Sequence, residues 1–263
     1  MAPGSVAELH AWERGAGAPA VLCLHETGAT SAVWEPLAEL LEPTARVIAY
    51  DRPGWGRSPA PETYVRTTVG EQSALAASVL EQRDAVPAVL IGAGLGAVAA
   101  LDLSIRSPGQ VLGSVLVEPP LLAFVPEATE ALSEAADLVR EAVAAGGREA
   151  ALERHLAGGL GILSAGAQRI PEAGERGAAA VQSLFAELAA VPSWELPLAE
   201  MSVATRPTVV VTGLDTPPLI RQAANRLTGA LARSELRDVG GGLPHHDQAA
   251  DLAALAVEVA EAG

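Results

Sequence analysis

Acidic and histidine side chains recur where short apolar segments of the sequence end. His25-Glu26-Thr27 follows one such segment, Glu118 follows another, Asp215 follows a third, and His245-His246 lies near the C-terminus. Carboxylates and imidazoles are the side chains that most often move protons in enzymes. If the apolar segments are parallel strands of one sheet, these groups meet at its carboxyl edge and can form an acid/base site.

The same side chains are poorly arranged for a metal. His245 and His246 are adjacent and cannot easily both reach one ion, and no Cys/His/Asp spacing typical of a metal site occurs. The only cysteine, Cys23, lies inside an apolar segment and has no partner for an internal disulfide. We therefore expect neither a metal nor a cofactor.

Alternating strand and helix patterns predict the elements that position these groups. Continuous apolar segments are typical of buried parallel strands, and they alternate with Ala- and Leu-rich helical segments. The predicted strands are Val6–Trp12, Ala20–Leu24, Val47–Tyr50, Ala88–Ile91, Val111–Val117, Thr208–Thr212 and, at an edge, Glu235–Val239. The predicted helices are Ser31–Leu41, Thr68–Gln82, Leu95–Arg106, Pro218–Leu227 and His246–Ala260. This order indicates an α/β fold with a mostly parallel central sheet flanked by helices.

The strand pattern is interrupted between residues 119 and 207. Three helical segments are predicted there, Glu127–Ala145, Glu149–Leu156 and Glu172–Ala190. An insertion of this length between core strands often covers a functional site. We predict a core of residues 1–118 and 208–263 and a helical lid of residues 119–207; the alternative is a helical mass that only covers a sheet edge.

Three turns at strand ends together resemble the α/β-hydrolase superfamily. Leu24–Leu37 is similar to its His-Gly oxyanion loop and the helix that follows, and Asp51–Ser58 is similar to its Asp-Arg-x-Gly-x-Gly-x-Ser turn. Gly92–Gly96 occupies the place of its Gly-x-Ser-x-Gly nucleophile elbow. The resemblance covers nearly the whole chain and implies the α/β-hydrolase fold, with the backbone amides of Thr27 and Leu95 as an oxyanion hole.

The nucleophile position of this chain is vacant. The middle residue of the elbow is Gly94, and neither Ala93 nor Leu95 carries a hydroxyl, thiol or carboxylate. Covalent acyl transfer needs such a group. The sequence therefore predicts that the chain is not a serine hydrolase.

The general base is also altered. A branch of the family ends in Gly-x-Gly-His-x-x-His-Asp, and an ungapped alignment places Leu243 at the base position and His246 at the second, usually structural histidine. A shifted alignment makes His245 or His246 the base instead. We favour the ungapped alignment, which predicts that Gly94→Ser alone stays inactive and that Leu243→His must be added for esterase turnover.

The acid and the oxyanion loop leave further alternatives open. Asp215 matches the acid of that branch, and Glu118 lies at an alternative acid position; Asp215 could equally cap the helix that begins near Pro218. Glu26 stands where the family commonly has Gly. It could act as a base in a dry pocket, but the alternative that we favour is an outward carboxylate paired with Arg52 or Arg57.

A dinucleotide site is the main rival from another class. Gly92-x-Gly94-x-x-Ala97 satisfies the dinucleotide-binding pattern, with Glu118 near the place of a ribose-binding acid. That pattern normally follows the first strand of its sheet, whereas at least two core strands precede it here. It would also leave Asp51–Ser58 unexplained, so we set it aside.

Composition restricts the partners. The net charge of -15 repels nucleic acid and anionic membranes. No apolar segment is long enough to span a membrane and no signal peptide is visible, so we expect a cytoplasmic protein; a homodimer is left open. The expected partner is a small, largely apolar molecule. Side chains expected around it are Leu121, Leu122, Phe124, Phe185 and Trp194 from the insertion, and Trp34 and Leu243 from the core.

Two functions remain after these exclusions. In the first, the chain is an enzyme in which Glu26, Asp215, Glu118 or a histidine moves protons without a covalent intermediate, as a lyase, isomerase or cyclase or by direct water attack. In the second, it is a catalytically inactive ligand-binding or scaffold protein. The fold alone does not choose between them.

Overall fold

A seven-stranded sheet forms the centre of the protein in a computed structural model, which describes residues 9–164, 177–195, 197–242 and 244–263. The strands are β1 (Ala11–Arg14), β2 (Ala20–Leu24), β3 (Arg46–Tyr50), β4 (Ala88–Ala93), β5 (Val111–Val117), β6 (Thr208–Gly213) and β7 (Ser234–Val239). Their order across the sheet is β1-β3-β2-β4-β5-β6-β7. Only β1 is antiparallel to its neighbour, and all other pairs are parallel. The predicted α/β-hydrolase fold class is therefore confirmed.

The sheet is apolar on both faces because helices cover each side. Successive side chains of β2 point to opposite faces, so Leu22 and Leu24 join one buried cluster while Val21 and Cys23 join the other. All four side chains are almost fully buried. This burial explains why the central strands have no polar alternation in the sequence.

The helices of the core are α1 (Glu35–Leu41), α2 (Val69–Gln82), α3 (Leu95–Arg106), α7 (Pro218–Ala230), α8 (Pro244–Asp247) and α9 (Ala249–Ala262). Helix α2 begins at a capping box, in which Oγ1 of Thr68 accepts from the amide of Glu71 and the Glu71 carboxylate accepts from the amide of Thr68. The C-terminal helix differs from the prediction, since α8 and α9 are separate. Gln248 breaks them with non-helical backbone angles, and its side chain donates to the carbonyl of Gly241.

The described part of the insertion between β5 and β6 is largely helical. It contains α4 (Ala128–Leu156), α5 (Ala178–Glu187) and α6 (Leu198–Met201). The two predicted helices before residue 157 form one element, α4, with a break at Gly146 and Gly147, where the backbone leaves helical angles and Gly147 has a φ of 78°. Residues 165–176, and with them the start of the predicted helix Glu172–Ala190, lie outside the described residues, as do residues 6–8 of the predicted first strand.

Among the described residues, no helix combines the length and the apolar character needed to cross a membrane.

Candidate active site

Gly94 lies at a sharp turn between β4 and α3. Its φ of 54° and ψ of -122° are angles that residues with a side chain rarely adopt. The turn is tight because α3 packs directly on the strands: a Cβ on Gly92 would lie 2.4 Å from the carbonyl oxygen of Gly96, and a Cβ on Gly96 would lie 2.3 Å from that of Leu24. The backbone of a nucleophile elbow is therefore intact, although no side chain extends from its middle residue.

The side chain of Glu26 covers this turn. A Cβ built on Gly94 would lie 2.8 Å from Cβ of Glu26 and 3.5 Å from its Oε2. The Glu26 side chain is only 13 % exposed. The outward orientation, with a pairing to Arg52 or Arg57, was therefore wrong: the carboxylate points inward and lies beside the place where an elbow nucleophile would be.

His245 contacts the same carboxylate. Its Nε2 lies 3.2 Å from Oε1 of Glu26, and its ring packs against Trp34 with centroids 5.5 Å apart. The imidazole is almost completely buried. The contact has ion-pair distance without the alignment of a hydrogen bond, and both atoms are otherwise unpartnered within the described part of the chain. The 3.2 Å separation makes proton exchange between the two groups feasible after a small rotation.

The two histidines near the C-terminus have different neighbours. The ungapped alignment put the base position at Leu243, which lies outside the described residues. Of the pair, His245 contacts Glu26 beside the elbow, whereas His246 is half-buried and its Nδ1 lies 3.0 Å from the carboxylate of Asp247. The contact between His245 and Glu26 is compatible with the shifted alignment, and the assignment of Leu243 to the base position stays a prediction.

The two candidate acids lie at neighbouring strand ends. Asp215 is exposed, and its Oδ2 accepts from the amide of Gly242 at 2.8 Å. It does not cap α7, which has no side-chain cap. Glu118 follows β5 with a φ of 46° and accepts a hydrogen bond from the Thr216 hydroxyl. Of the two, only Glu118 borders the cavity described below.

Two backbone amides are available beside Glu26. Leu95 is the first residue of helix α3, and the N–H groups of a helix's first turn have no acceptor within the helix. Thr27 follows Glu26 in the loop after β2. Within the described ranges, no group accepts a hydrogen bond from either amide. Both residues border the cavity, which is the arrangement that the resemblance implied for an oxyanion hole.

A buried ion pair joins the insertion to this loop. Nη1 of Arg52 donates to Oε1 of Glu187 at 2.5 Å, and Nη2 donates to Oε2 at 3.2 Å. Trp55 Nε1 donates to Oε1 at 2.9 Å and the Thr27 hydroxyl donates to Oε2 at 2.7 Å. Both charged side chains are fully buried. We did not single out Glu187 from the sequence, because it lies in an Ala-rich helix with no motif around it.

His25 holds the other side of the loop. Its Nδ1 donates to the carbonyl of Glu26 at 2.8 Å, and its Nε2 accepts from the amide of Arg52 at 2.9 Å. Burial, and then the neighbouring Arg52 charge, lower the pKa of the imidazole to about 3, so it stays neutral and keeps this pattern. His25 therefore fixes the loop that carries Glu26 and Thr27.

The Asp51–Ser58 turn is also a structural junction. One carboxylate oxygen of Asp51 accepts from the amide of Ser31 at 2.7 Å, and the other accepts from the amide of Arg57 at 2.9 Å. The hydroxyl of Ser58 donates to the Asp51 carbonyl at 2.6 Å. These bonds hold the turn against the oxyanion loop and its helix.

His155 of the insertion was a second residue that sequence reasoning missed. It is buried, its Nδ1 lies 3.1 Å from Oγ of Ser164, and its ring lies against Gly28 of the oxyanion loop. Burial lowers the pKa of the imidazole, although the Thr27 backbone and the Glu26 and Glu187 carboxylates oppose this effect. His155 is therefore a neutral, polar part of the cavity wall near neutral pH.

A cavity of about 220 Å³ lies between the strand ends and the insertion. Its floor includes Glu26, Thr27, Gly94 and Leu95, and its walls are largely apolar. The apolar side chains of the walls are Pro120, Leu121, Leu122, Ala123, Leu132, Ile162, Leu163, Leu188, Val191, Pro192, Trp194 and Ile220. Of the residues expected around a ligand, Leu121, Leu122 and Trp194 are present.

Three other expected cavity residues lie elsewhere. Trp34 is buried beneath His245 in the core, and its side chain does not border the cavity. Phe124 packs against the core beside α7, and Phe185 faces Arg148 across its ring. Position in the sequence did not predict these locations, because it does not determine which side of a helix or turn faces the cavity.

Within the described ranges, no group of three or more His, Cys, Asp or Glu side chains is placed to hold a metal ion.

Comparison with known proteins gives the same architecture. The sequence model described as "Alpha/beta hydrolase family" matches residues 21–255. The crystal structure of an alpha/beta hydrolase from Sphaerobacter thermophilus DSM 20745 superimposes with a TM-score of 0.74 and 24% identity, covering 95% of each chain. A hydrolase from Oleispira antarctica, olei00960, superimposes with a TM-score of 0.72 and 16% identity over 97% of this chain and 96% of that one. Identities this low establish similarity of fold.

Curated relatives match shorter segments. The biotin biosynthesis bifunctional protein BioHC of Cellvibrio japonicus is 36% identical over 97 residues, which are 37% of this chain and 18% of that protein. The lipase LipV of Mycobacterium tuberculosis is 35% identical over 115 residues, 43% of this chain and 42% of the lipase. The chain thus spans less than half the length of these two relatives.

Proposed function

The chain belongs to the alpha/beta hydrolase family, and we propose that within it the protein is an enzyme that uses acid/base chemistry without a covalent intermediate. Its substrate is a small, largely apolar molecule. Glu26 is the base, His245 is its proton partner, and the amides of Thr27 and Leu95 stabilise negative charge. The helical insertion, residues 119–207, acts as the lid that closes the substrate in.

The position of the Glu26 carboxylate carries this proposal. It lies over Gly94, 3.5 Å from the place of a Cβ at that residue, and 3.2 Å from Nε2 of His245. Reactions in this family usually start from the nucleophile at the middle position of the elbow, which is Gly94 in this chain. Here the reactive group, Glu26, would come from the neighbouring loop instead. The carboxylate lies on the floor of an apolar cavity, beside two backbone amides that have no hydrogen-bond acceptor among the described residues. A proton-transfer reaction requires such a base and such donors for the charge that develops.

The two carboxylate oxygens have different neighbours. Oε1 is buried against His245, and Oε2 lies over Gly94 at the cavity floor. Glu26 would take a proton at Oε2, and the adjacent imidazole would stabilise or accept that proton. The charge that develops on the substrate would be held by the amides, since these donors have no other acceptor among the residues described.

A turnover assay on a metabolite mixture tests the proposal. The protein is incubated with a fractionated bacterial extract, and consumed and formed compounds are followed by mass spectrometry. Glu26→Gln removes the base with little change of shape, and Glu62→Gln changes an exposed carboxylate away from the cavity. Loss of a base typically lowers a rate by about 10²- to 10⁴-fold.

We expect at least one compound whose conversion stops with Glu26→Gln and continues with Glu62→Gln. Compounds that bind and shift the thermal unfolding temperature but are converted by none of the three proteins would support the second function, a ligand-binding protein without catalysis. A conversion that continues unchanged in Glu26→Gln would contradict the role of Glu26.

A further inference from the structure

The surroundings of Glu26 indicate which kind of proton it removes. Activation of water requires a water molecule held between the base and the substrate, and a buried water needs two to four polar partners. Most residues that border the cavity are apolar, among them Leu121 and Trp194. Besides Glu26 and Thr27, its polar side chains are Glu118, His155 and Glu187. Each of these three already contacts a neighbouring side chain, namely that of Thr216, Ser164 and Arg52, respectively. A substrate seated against these walls would meet the Glu26 carboxylate directly.

The polar groups next to Glu26 suit an anion that forms on oxygen. Thr27 and Leu95 border the same floor, and no described group accepts a hydrogen bond from their amides. The Leu95 amide also lies at the N-terminus of the twelve-residue helix α3, which favours negative charge. A water held by these amides would occupy the place needed for the oxyanion. Two different groups at the cavity floor therefore serve the reaction: Glu26 removes the proton, and the amides stabilise the negative charge.

We infer that the cavity acts on carbon acids: Glu26 removes a proton from carbon, and the electron pair that is released ends on an oxygen held by Thr27 and Leu95. This inference rests on the proposed function and names its substrate class. The C–H bond breaks and the proton moves to Oε2 of Glu26. The electron pair forms an enolate with an adjacent carbonyl, or breaks a neighbouring bond to oxygen and leaves as an alkoxide or phenolate. No oxidant, reductant or metal is required.

Ring opening of a nitrobenzisoxazole is a direct probe of this chemistry. The base takes the single proton on the ring carbon, the N–O bond breaks, and the products are a nitrile and a coloured phenolate. The molecule is small and largely apolar, and the new negative charge lies on an oxygen. Hydrolysis of p-nitrophenyl acetate, measured beside it, is the matched probe for water attack. Both probes are run on the wild type, Glu26→Gln and Glu62→Gln, with binding checked by the shift in thermal unfolding.

We expect ring opening by the wild type and by Glu62→Gln, and a rate at least about 100-fold lower in Glu26→Gln. Ester hydrolysis that depends on Glu26, without ring opening, would overturn the carbon-acid inference and leave the proposed function standing. Binding of both probes with neither reaction would overturn the inference and the catalytic role of Glu26 together. Ring opening that is equal in all three proteins would assign the base to another group and overturn the inference.

Discussion

The Cβ atom of Glu26 lies 2.8 Å from the position that a Cβ on Gly94 would take. Real Cβ atoms do not approach so closely, so a side chain at residue 94 and the present position of Glu26 exclude each other. The resemblance to hydrolases implies Gly at position 26 and Ser at position 94. This chain has a side chain at position 26 and none at position 94, and the two differences fit each other sterically.

Serine-directed fluorophosphonates should not label the protein. Their reaction needs an activated hydroxyl, and residue 94 has none. Ser31 and Ser58 are buried and already engaged, since Oγ of Ser31 accepts from Trp12 and Oγ of Ser58 donates to the Asp51 carbonyl. Intact-protein mass spectrometry after incubation should give the unmodified mass. A stoichiometric adduct mapped to Ser31 or Ser58 would mean that the nucleophile has moved to that residue.

Glu187→Gln should destabilise the fold strongly. The change leaves the fully buried Arg52 without its counter-charge, and breaking a buried pair on one side typically costs about 3–5 kcal/mol. Glu13→Gln is the matched control, because it breaks the partly exposed pair with Arg46, for which about 1 kcal/mol or less is expected. Urea denaturation measures both free energies of unfolding. Equal losses in the two variants would contradict the view that Glu187 anchors the insertion to the oxyanion loop.

Stability should fall with acid below about pH 6.5. Burial lowers the pKa of His25 to about 3 and also lowers that of His155 from its ordinary value of 6.5. Between the unfolded and the folded pKa, the unfolded chain binds a proton that the folded chain does not. Each such histidine therefore removes up to about 1.4 kcal/mol of unfolding free energy per pH unit as the pH falls through this window.

The comparison of a histidine variant with a control that changes no titratable group checks the origin of this slope. His155→Gln should reduce the change in unfolding free energy between about pH 6.5 and pH 5, because the variant has no imidazole to protonate on unfolding. Val65→Ala, at an exposed position without a titratable group, should keep the wild-type slope. Identical slopes in the wild type and His155→Gln would contradict the buried, neutral state of His155.

Much of the core could be predicted from the sequence. Strands Ala20–Leu24 and Val111–Val117 and helix Leu95–Arg106 have the predicted bounds, because continuous apolar segments and glycine turns determine them locally. Because the carboxyl ends of parallel strands lie at one edge of the sheet, the sequence also predicted that Glu26, Thr27 and Gly94 lie close together. The division of the C-terminal helix at Gln248 could not be predicted, since it depends on a contact with the Gly241 backbone.

The orientation of Glu26 depended on distant residues. The sequence favoured an outward carboxylate paired with Arg52 or Arg57, the two arginines of the turn after the next strand. Arg52 is instead paired with Glu187, which lies 135 residues later in the chain. No local sequence pattern predicts that contact. The contact of His245, rather than His246, with Glu26 likewise depends on where helix α8 lies against the oxyanion loop.

Restoration of the serine tests the account most sharply. The sequence alone predicted that Gly94→Ser would need Leu243→His, but a buried imidazole, that of His245, already lies 3.2 Å from Glu26 beside the elbow. The obstacle is now Glu26, whose Cβ occupies the space that Cβ of a residue 94 side chain needs. Gly94→Ser alone should therefore remain inactive, and Gly94→Ser combined with Glu26→Gly should give a serine that His245 can activate.

The decisive measurement is the rate of p-nitrophenyl acetate hydrolysis by Gly94→Ser, by Glu26→Gly and by the double variant. We predict background rates for both single variants and clear turnover for the double variant, with turnover lost when His245→Ala is added. An acyl-enzyme on the new serine should then be detectable by mass spectrometry. Turnover by Gly94→Ser alone, or turnover by the double variant that survives His245→Ala, would contradict the claim that Glu26 has taken the place of the nucleophile beside His245.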